Sequence, residues 1–250
     1  MPSEADAILL CGGAGLRLRS ITGGGPKALA SIRGRPFLEL LLNQLRRHGF
    51  TRVILAVGYQ GELIRSHFGE RFHGLELRYA EEPSPLGTGG ALRNTANLME
   101  SEASLIMNGD SYTDADLPAF VADYRELKAD VSVLVVPADG RTDCGLVSVD
   151  SNRRVIGFRE KRGASGLQYV NAGIYIASNS ILCDAPPGVR MSLEEELFPR
   201  WLADGKNVRS FMHRGSCVDI GTPERFQSAQ DVLAGAEVDG TVLPDESQQE

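Results

Sequence analysis

Residues 6–19 read DAILLCGGAGLRLR, a short apolar run that ends in a glycine-rich, cationic turn. The run Asp6–Leu10 predicts a buried strand, so the glycines leave a sheet at its carboxyl end, where open α/β sheets bind ligands. Moving outward, Pro36–His48 carries leucines at helical spacing, opens on Pro and stops before Gly49, which predicts a helix. Arg52–Val57 predicts a second strand, Gln60–Phe68 a short helix and Leu75–Tyr79 a strand. Gly89–Met99 follows as a helix, Ser104–Met107 as a strand, Ala115–Lys128 as a helix and Val131–Val136 as a strand. This alternation implies βαβ units, hence a Rossmann-like, doubly wound, mixed and mostly parallel sheet of the α/β class. After Pro137 the strand-like runs Leu146–Val149, Val155–Phe158 and Tyr169–Ile176 have few helices between them. Helices are expected near Ser192–Leu202 and at Thr222–Leu233. The expectation is one domain over 1–234, with a nucleotide-binding half to about 136 and a more antiparallel acceptor half over 137–234. From Gly235 to Glu250 the chain is acidic, and a loose tail is expected.

Composition narrows the function classes. The chain has 250 residues, 42% hydrophobic and 24% charged, which is ordinary for a globular protein. A net charge of −7 argues against a nucleic-acid backbone as the main partner, while a local cluster of cations could still bind one phosphorylated small molecule. No apolar run approaches the ~18–20 residues that cross a bilayer, and Met1–Asp6 is too acidic for a secretion leader. A soluble, cytoplasmic protein without membrane or nucleic-acid partners is expected. Four cysteines stand singly, with no C-x-x-C pair, as in a reducing compartment.

Four stretches could carry chemistry. In the first, backbone N–H groups of the turn after Leu10 could cradle phosphate oxygens, with Arg17 inside the turn and Lys27 shortly after it. Neither the G-x-G-x-x-G nor the G-K-[ST] pattern is completed there. In the second, LIMNGDSYTD, Asp110 stands directly after an apolar strand; beside phosphates such a carboxylate suits Mg²⁺. Asn-Gly is equally an ordinary turn pair. In the third, SCVDIGTPE, Asp219 ends another apolar run, while Thr222 and Pro223 open a helix on their own account. The fourth joins Phe158–Arg162 to Tyr169–Tyr175, with Lys161 suited to a phosphate and Asn171 to sugar hydroxyls.

In this order the stretches resemble the sugar-1-phosphate nucleotidyltransferase family over about residues 5–234. The pieces are LLCGGAGLRLR, GPKALASIRGRPFLELLL, EEPSPLGTGGAL, NGDSY, FREK, NAGIYI and VDIGTPE. Within that family the chain is most similar to D-glycero-α-D-manno-heptose 1-phosphate guanylyltransferases, with the mannose-1-phosphate enzymes close behind. The resemblance implies a GT-A-like sheet and Mg²⁺-dependent nucleotidyl transfer from a nucleoside triphosphate, GTP favoured, to a sugar 1-phosphate. It implies that Leu10, Gly12, Gly13 and Gly15 wrap the nucleotide, with Arg17 and Lys27 on its phosphates. Glu82, Gly87, Thr88, Gly90 and Asn108 fall near base and ribose. Asp110 and Asp219 hold Mg²⁺. Lys161 meets the sugar phosphate, Glu160 and Asn171 the sugar hydroxyls, and Gly145 lets the sugar approach the backbone. A homodimer is compatible with it. Leu16 stands where the family has Thr, and Ala28 where it commonly has Pro. These departures leave a catalytically silent nucleotide-sugar-binding subunit as the alternative of another class.

Overall fold

The computed structural model describes residues 5–138, 145–159, 167–234, 237–238 and 241–242. Its nucleotide-side strands are β1 (Asp6–Leu10), β2 (Arg52–Val57), β3 (Leu75–Glu81) and β4 (Ala103–Asn108). All four run parallel, in the order β4-β1-β2-β3. Ala7, Ile8 and Leu9 of β1 are fully buried, as an unbroken apolar run in a parallel sheet requires. Alternate residues serve opposite faces. Leu9, Leu55 and Met107 join one core with Leu38, Leu41 and Leu45, whereas Ile8, Ile54 and Ile106 join another with Phe198 and Trp201.

Helix α1 (Phe37–Arg47) supplies the first of these layers. Pro36 is its N-cap and not its first helical residue. The helix stops where expected because Gly49 turns left-handed (φ 82°), letting Gly49 N–H donate to Arg46 O and Phe50 N–H to Leu45 O. Helices α2 (Gly61–Phe68) and α3 (Gly87–Asn94) connect the next strands. The expected helix to Met99 breaks after Asn94 into a 3₁₀ turn at Ala96–Leu98.

Beyond β4 come β5 (Ser111–Thr113), α4 (Leu117–Glu126), β6 (Val131–Pro137), β7 (Leu146–Val149), β8 (Val155–Arg159) and β9 (Leu167–Ser178). The long β9 has β6 along one edge; its other edge pairs first with β7 and then with β4, all antiparallel. The change of partner falls at a break in register between Asn171 and Tyr175, where Gly173 is left-handed (φ 72°). The last elements are α5 (Phe198–Ala203), preceded by a π-helical turn at Leu193–Leu197, then β10 (Val208–Met212), β11 (Cys217–Asp219) and α6 (Pro223–Val232). Strand β10 was not expected from the sequence; it runs parallel to β6 and touches β8 through an Arg154–Arg209 bridge, nearly closing the acceptor-side strands into a ring. Within the expected loose tail, Glu237–Val238 pairs with Thr241–Val242. Among the described residues no helix is long and apolar enough to cross a membrane.

Candidate active site

The strand order makes β1 the turning point of the sheet: β2 and β3 lie to one side of it and β4 to the other. Loops leaving the carboxyl ends of β1 and β4 therefore diverge and open a crevice. A cavity of about 630 Å³ occupies it. Leu10, Gly12, Gly13, Lys27, Asn108 and Asp110 line the cavity, and Glu82, Gly87 and Thr88 form its far wall.

Close packing explains the glycines here. A methyl at Gly12 would lie 2.1 Å from Glu82 Oε1, and one at Gly109 would lie 2.6 Å from the Leu10 carbonyl. Gly15, left-handed at φ 57°, lets Lys27 pack against the turn, since a Cβ there would be 2.9 Å from Lys27 Cβ. Arg17 falls in a 3₁₀ turn and stands exposed, outside the cavity wall, as does Leu16 at 73% exposure. Gly15 and Gly90 also lie behind the wall. Cys11 is buried beneath the turn; burial, and then the charge of Asp110, push its thiol up to about 12, so it supplies no thiolate nucleophile. Burial also raises the Glu82 carboxyl, against a bond from Leu86 N–H that favours its charged form.

Two strand ends that carry carboxylates meet beside the crevice, Asp110 in its lining and Asp219 outside it. Strands β5 and β11 pair antiparallel with Ser111 opposite Asp219, and Ile220 N–H donates to the Asp110 carbonyl at 2.9 Å. Asp110 and Asp219 thus become lateral neighbours although 109 positions separate them in the chain. Lys27 Nζ pairs with Asp110 Oδ2, whose other oxygen accepts from Ser111 Oγ at 3.1 Å. Arg225 grips both oxygens of Asp219 at 3.0 and 3.1 Å. Thr222 makes this possible: its hydroxyl caps α6 by accepting from Arg225 N–H, which sets Arg225 one turn into the helix. Among the described residues no group of three or more His, Cys, Asp or Glu side chains could enclose a metal. Two carboxylate donors nonetheless fit Mg²⁺, which takes one or two from a protein and the rest from phosphates and water.

The acceptor side is partly described. Glu160 and Lys161 lie outside the described residues. Gly145 and Asn171 are brought together, with Asn171 N–H donating to the Gly145 carbonyl at 2.9 Å. The Asn171 amide is engaged at both ends: Oδ1 accepts from Gly173 N–H and Nδ2 donates to Tyr175 Oη. Tyr175 donates in turn to Glu194 Oε1 at 3.0 Å, and Thr88 Oγ1 donates to Glu194 Oε2 at 2.9 Å.

Sequence reading missed Glu194, Tyr175, Arg225 and Arg190. The last enters the cavity wall on a strap, 189–194, laid across the start of α3. The Met191 carbonyl accepts from Gly89 and Gly90 N–H at 2.9 and 3.2 Å, and Met191 N–H donates to Leu86 O at 2.8 Å. A methyl at Gly87 would lie 2.7 Å from the Met191 carbonyl, and one at Gly90 would lie 2.5 Å from that of Val189. The glycines of GTGG are therefore the seat of this strap. Only the Ser192 hydroxyl, which caps the following turn by accepting from Glu195 N–H, left a readable signal.

Comparison with known proteins bears on the fold and on the sequence as a whole. The Nucleotidyl transferase family matches residues 6–235. The chain is 36% identical over 225 residues to a D-glycero-alpha-D-manno-heptose 1-phosphate guanylyltransferase of Campylobacter jejuni, covering 88% of this chain and 96% of that one. It is 34% identical over 235 residues to a mannose-1-phosphate guanylyltransferase of Mycobacterium tuberculosis, covering 93% of this chain and 66% of the longer relative. HddC from Yersinia pseudotuberculosis, solved alone and complexed with GMP-PN, superposes with a TM-score of 0.79 at 30% identity, covering 91% of this chain and 99% of HddC. With its fold and its sequence in agreement, the chain belongs to the nucleotidyl transferase family.

Proposed function

We propose that this chain joins a nucleoside triphosphate, GTP favoured, to a sugar 1-phosphate, D-glycero-α-D-manno-heptose 1-phosphate favoured, giving the nucleotide sugar and pyrophosphate. The observation that carries the reading is the pairing of Asp110 with Lys27 beside Asp219 in a crevice walled by the glycine-rich turn. The names of the relatives support GTP and a manno-configured acceptor.

The reaction forms a bond from a sugar phosphate oxygen to the α-phosphorus and breaks the α–β bridge, with pyrophosphate taking the electron pair. The second pKa of a phosphate monoester is ~6, so the nucleophile is already an anion at neutral pH and needs no base. Repulsion between anions and charge growing on the leaving group make the barrier. Lys27, turned from Asp110 onto phosphate oxygens, would neutralise part of that charge, and Arg17, Arg190 and Lys161 are further cations assigned to phosphates. Asp110 and Asp219 would hold Mg²⁺, which when bound supplies charge neutralisation and a fixed geometry to the phosphates. The turn of Gly12 and Gly13 would orient the triphosphate through its N–H groups. Glu160 and Asn171 are assigned to sugar hydroxyls, Gly145 to the sugar face. The cytoplasm, where triphosphates are made, is the proposed setting.

The test is pyrophosphate release with Mg²⁺ across GTP, ATP, UTP, CTP and dTTP crossed with heptose, mannose and glucose 1-phosphates. Release confined to GTP with a manno-configured acceptor is expected. A blank matrix with retained nucleotide-sugar binding would overturn the reading in favour of a silent binding subunit.

A further inference from the structure

A continuous chain of hydrogen bonds crosses the molecule behind the cavity. It starts at Thr88, on the nucleotide-side wall, and ends at Asn171, on the acceptor side. Its centre is the Glu194 carboxylate: Oε2 accepts from Thr88 Oγ1 at 2.9 Å and, at a longer 3.4 Å, from the neighbouring Ser192 Oγ, while Oε1 accepts from Tyr175 Oη. Both hydroxyls have fixed directions. Thr88 Oγ1 accepts from Leu193 N–H at 2.7 Å, so its proton goes to Glu194. Tyr175 Oη accepts from Asn171 Nδ2, so its proton also goes to Glu194. Tyr175 is fully buried, and burial together with the charge of Glu194 holds its phenol well above the ordinary range, protonated at any working pH. Each bond accepted by a charged carboxylate is worth more than a neutral one.

Thr88 lies on α3 and Asn171 on β9, on the two sides between which the transferred group must pass. Moving Thr88 moves the Glu194 carboxylate; Tyr175 then follows, and with it the Asn171 amide that also fixes Gly173 N–H at the break in β9. We propose that Glu194 is a positioning residue that couples occupancy of the nucleotide cavity to the orientation of Asn171 on the acceptor side. The proposal rests on the nucleotidyl-transfer reading for its substrates, and its relay is testable without turnover.

The experiment pairs two readouts on the full chain with GTP as probe. The first is hydrogen exchange at the Gly173 amide, which reports the Asn171 side chain directly. GTP is expected to slow it in the parent protein by roughly 10-fold, the equivalent of one ordinary hydrogen bond, and to leave it nearly unchanged in Glu194→Gln and Tyr175→Phe. The second is a split in kinetic constants. The affinity for GTP alone stays within about twofold, whereas KM for the sugar phosphate at saturating GTP rises roughly 10-fold, because coupling is visible only when both sites are filled. Thr88→Ser should retain the coupling and Thr88→Val should lose it, which a purely structural role would not separate. Tyr175→Phe keeps the ring that packs at 5.3 Å from Phe198, so it remains a folded test if Glu194→Gln does not fold. Turnover by the parent protein with protection and KM unaltered in the variants would overturn the relay and leave the reaction standing. Protection lost in the variants, with no sugar phosphate turned over by the parent, would support the relay and remove the substrate reading. GTP giving the parent no Gly173 protection would overturn the relay.

Discussion

At Gly109 a methyl group would fall 2.6 Å from the Leu10 carbonyl and 2.7 Å from Cys11 Sγ, whereas at Gly13 it would meet nothing within 4 Å. Neither residue needs a left-handed backbone, so space alone separates them. Gly109→Ala must push β4 away from β1 and should cost about 1–3 kcal/mol, seen as a lowered Tm together with reduced turnover. Gly13→Ala has room in the protein, so its Tm should not change; its cost should appear only when GTP binds, as a raised Kd by calorimetry. An unchanged Kd would remove Gly13 from the phosphate cradle. Asp110 is 37% exposed on its side chain, so Asp110→Asn should fold normally; with Lys27→Ala it should lose on the order of 10²–10³ in rate. Near-parental turnover in either variant would dismiss the charge assignment. The sequence made Asp110 and Lys27 visible because strand ends and glycine-rich turns are local features. Arg225 was invisible, because its task depends on one helical turn after a cap and on a carboxylate six positions back.

Among the elements, the strap 189–194 shows most clearly what a sequence conceals. GTGG could be read as a motif, but its purpose lies in the Val189 and Met191 carbonyls, 99 or more positions away from Gly90 and received only after the chain has folded. Gly90→Ala should lift the strap, with a loss of about 1–3 kcal/mol and faster hydrogen exchange at Met191, whose N–H donates to Leu86 O. Unaltered exchange there would mean that the seat yields without cost. Strand β1 was legible for the opposite reason: both its faces are buried, so after Asp6 the run Ala7–Leu10 is apolar without a break. Strand β10 was not, because its sequence VRSFM alternates a buried Val208 and Ser210 with half-exposed neighbours and is too short to show a period.

At the scale of the whole molecule, β1 divides stability from chemistry. Its carboxyl end feeds the crevice; its amino end carries Asp6, a fully buried carboxylate paired with Arg52 and accepting from Glu100 N–H, Ser101 N–H and Ser101 Oγ at 2.7, 2.9 and 2.8 Å. Burial alone would raise its pKa, but Arg52, Ser101 and Glu100 together lower it. A folded value below the unfolded one means that this stabilisation is complete above about pH 4 and is lost as pH falls through the lower folded value. Asp6→Asn should therefore cost on the order of 2 kcal/mol or more near neutrality, and the gap to the parent protein should close only below about pH 4 in urea titrations. A gap that closed near pH 6 would assign the effect to another group. Turnover per folded molecule should not change, since Asp6 lies at the far end of the strand from the cavity.

The double allegiance of β9 has a practical consequence for exchanging parts between relatives. A splice at Pro137 looks natural, since the nucleotide-side pattern stops there. It would nevertheless set β4 and β6 against a β9 taken from the relative, and a strand edge that a foreign partner fits poorly stays open to other chains. Chimeras built to trade acceptor preference should aggregate when joined at that point and remain monodisperse when β6 and β9 are inherited as a pair. The natural unit of exchange in this protein is a set of paired strands, not a continuous length of sequence.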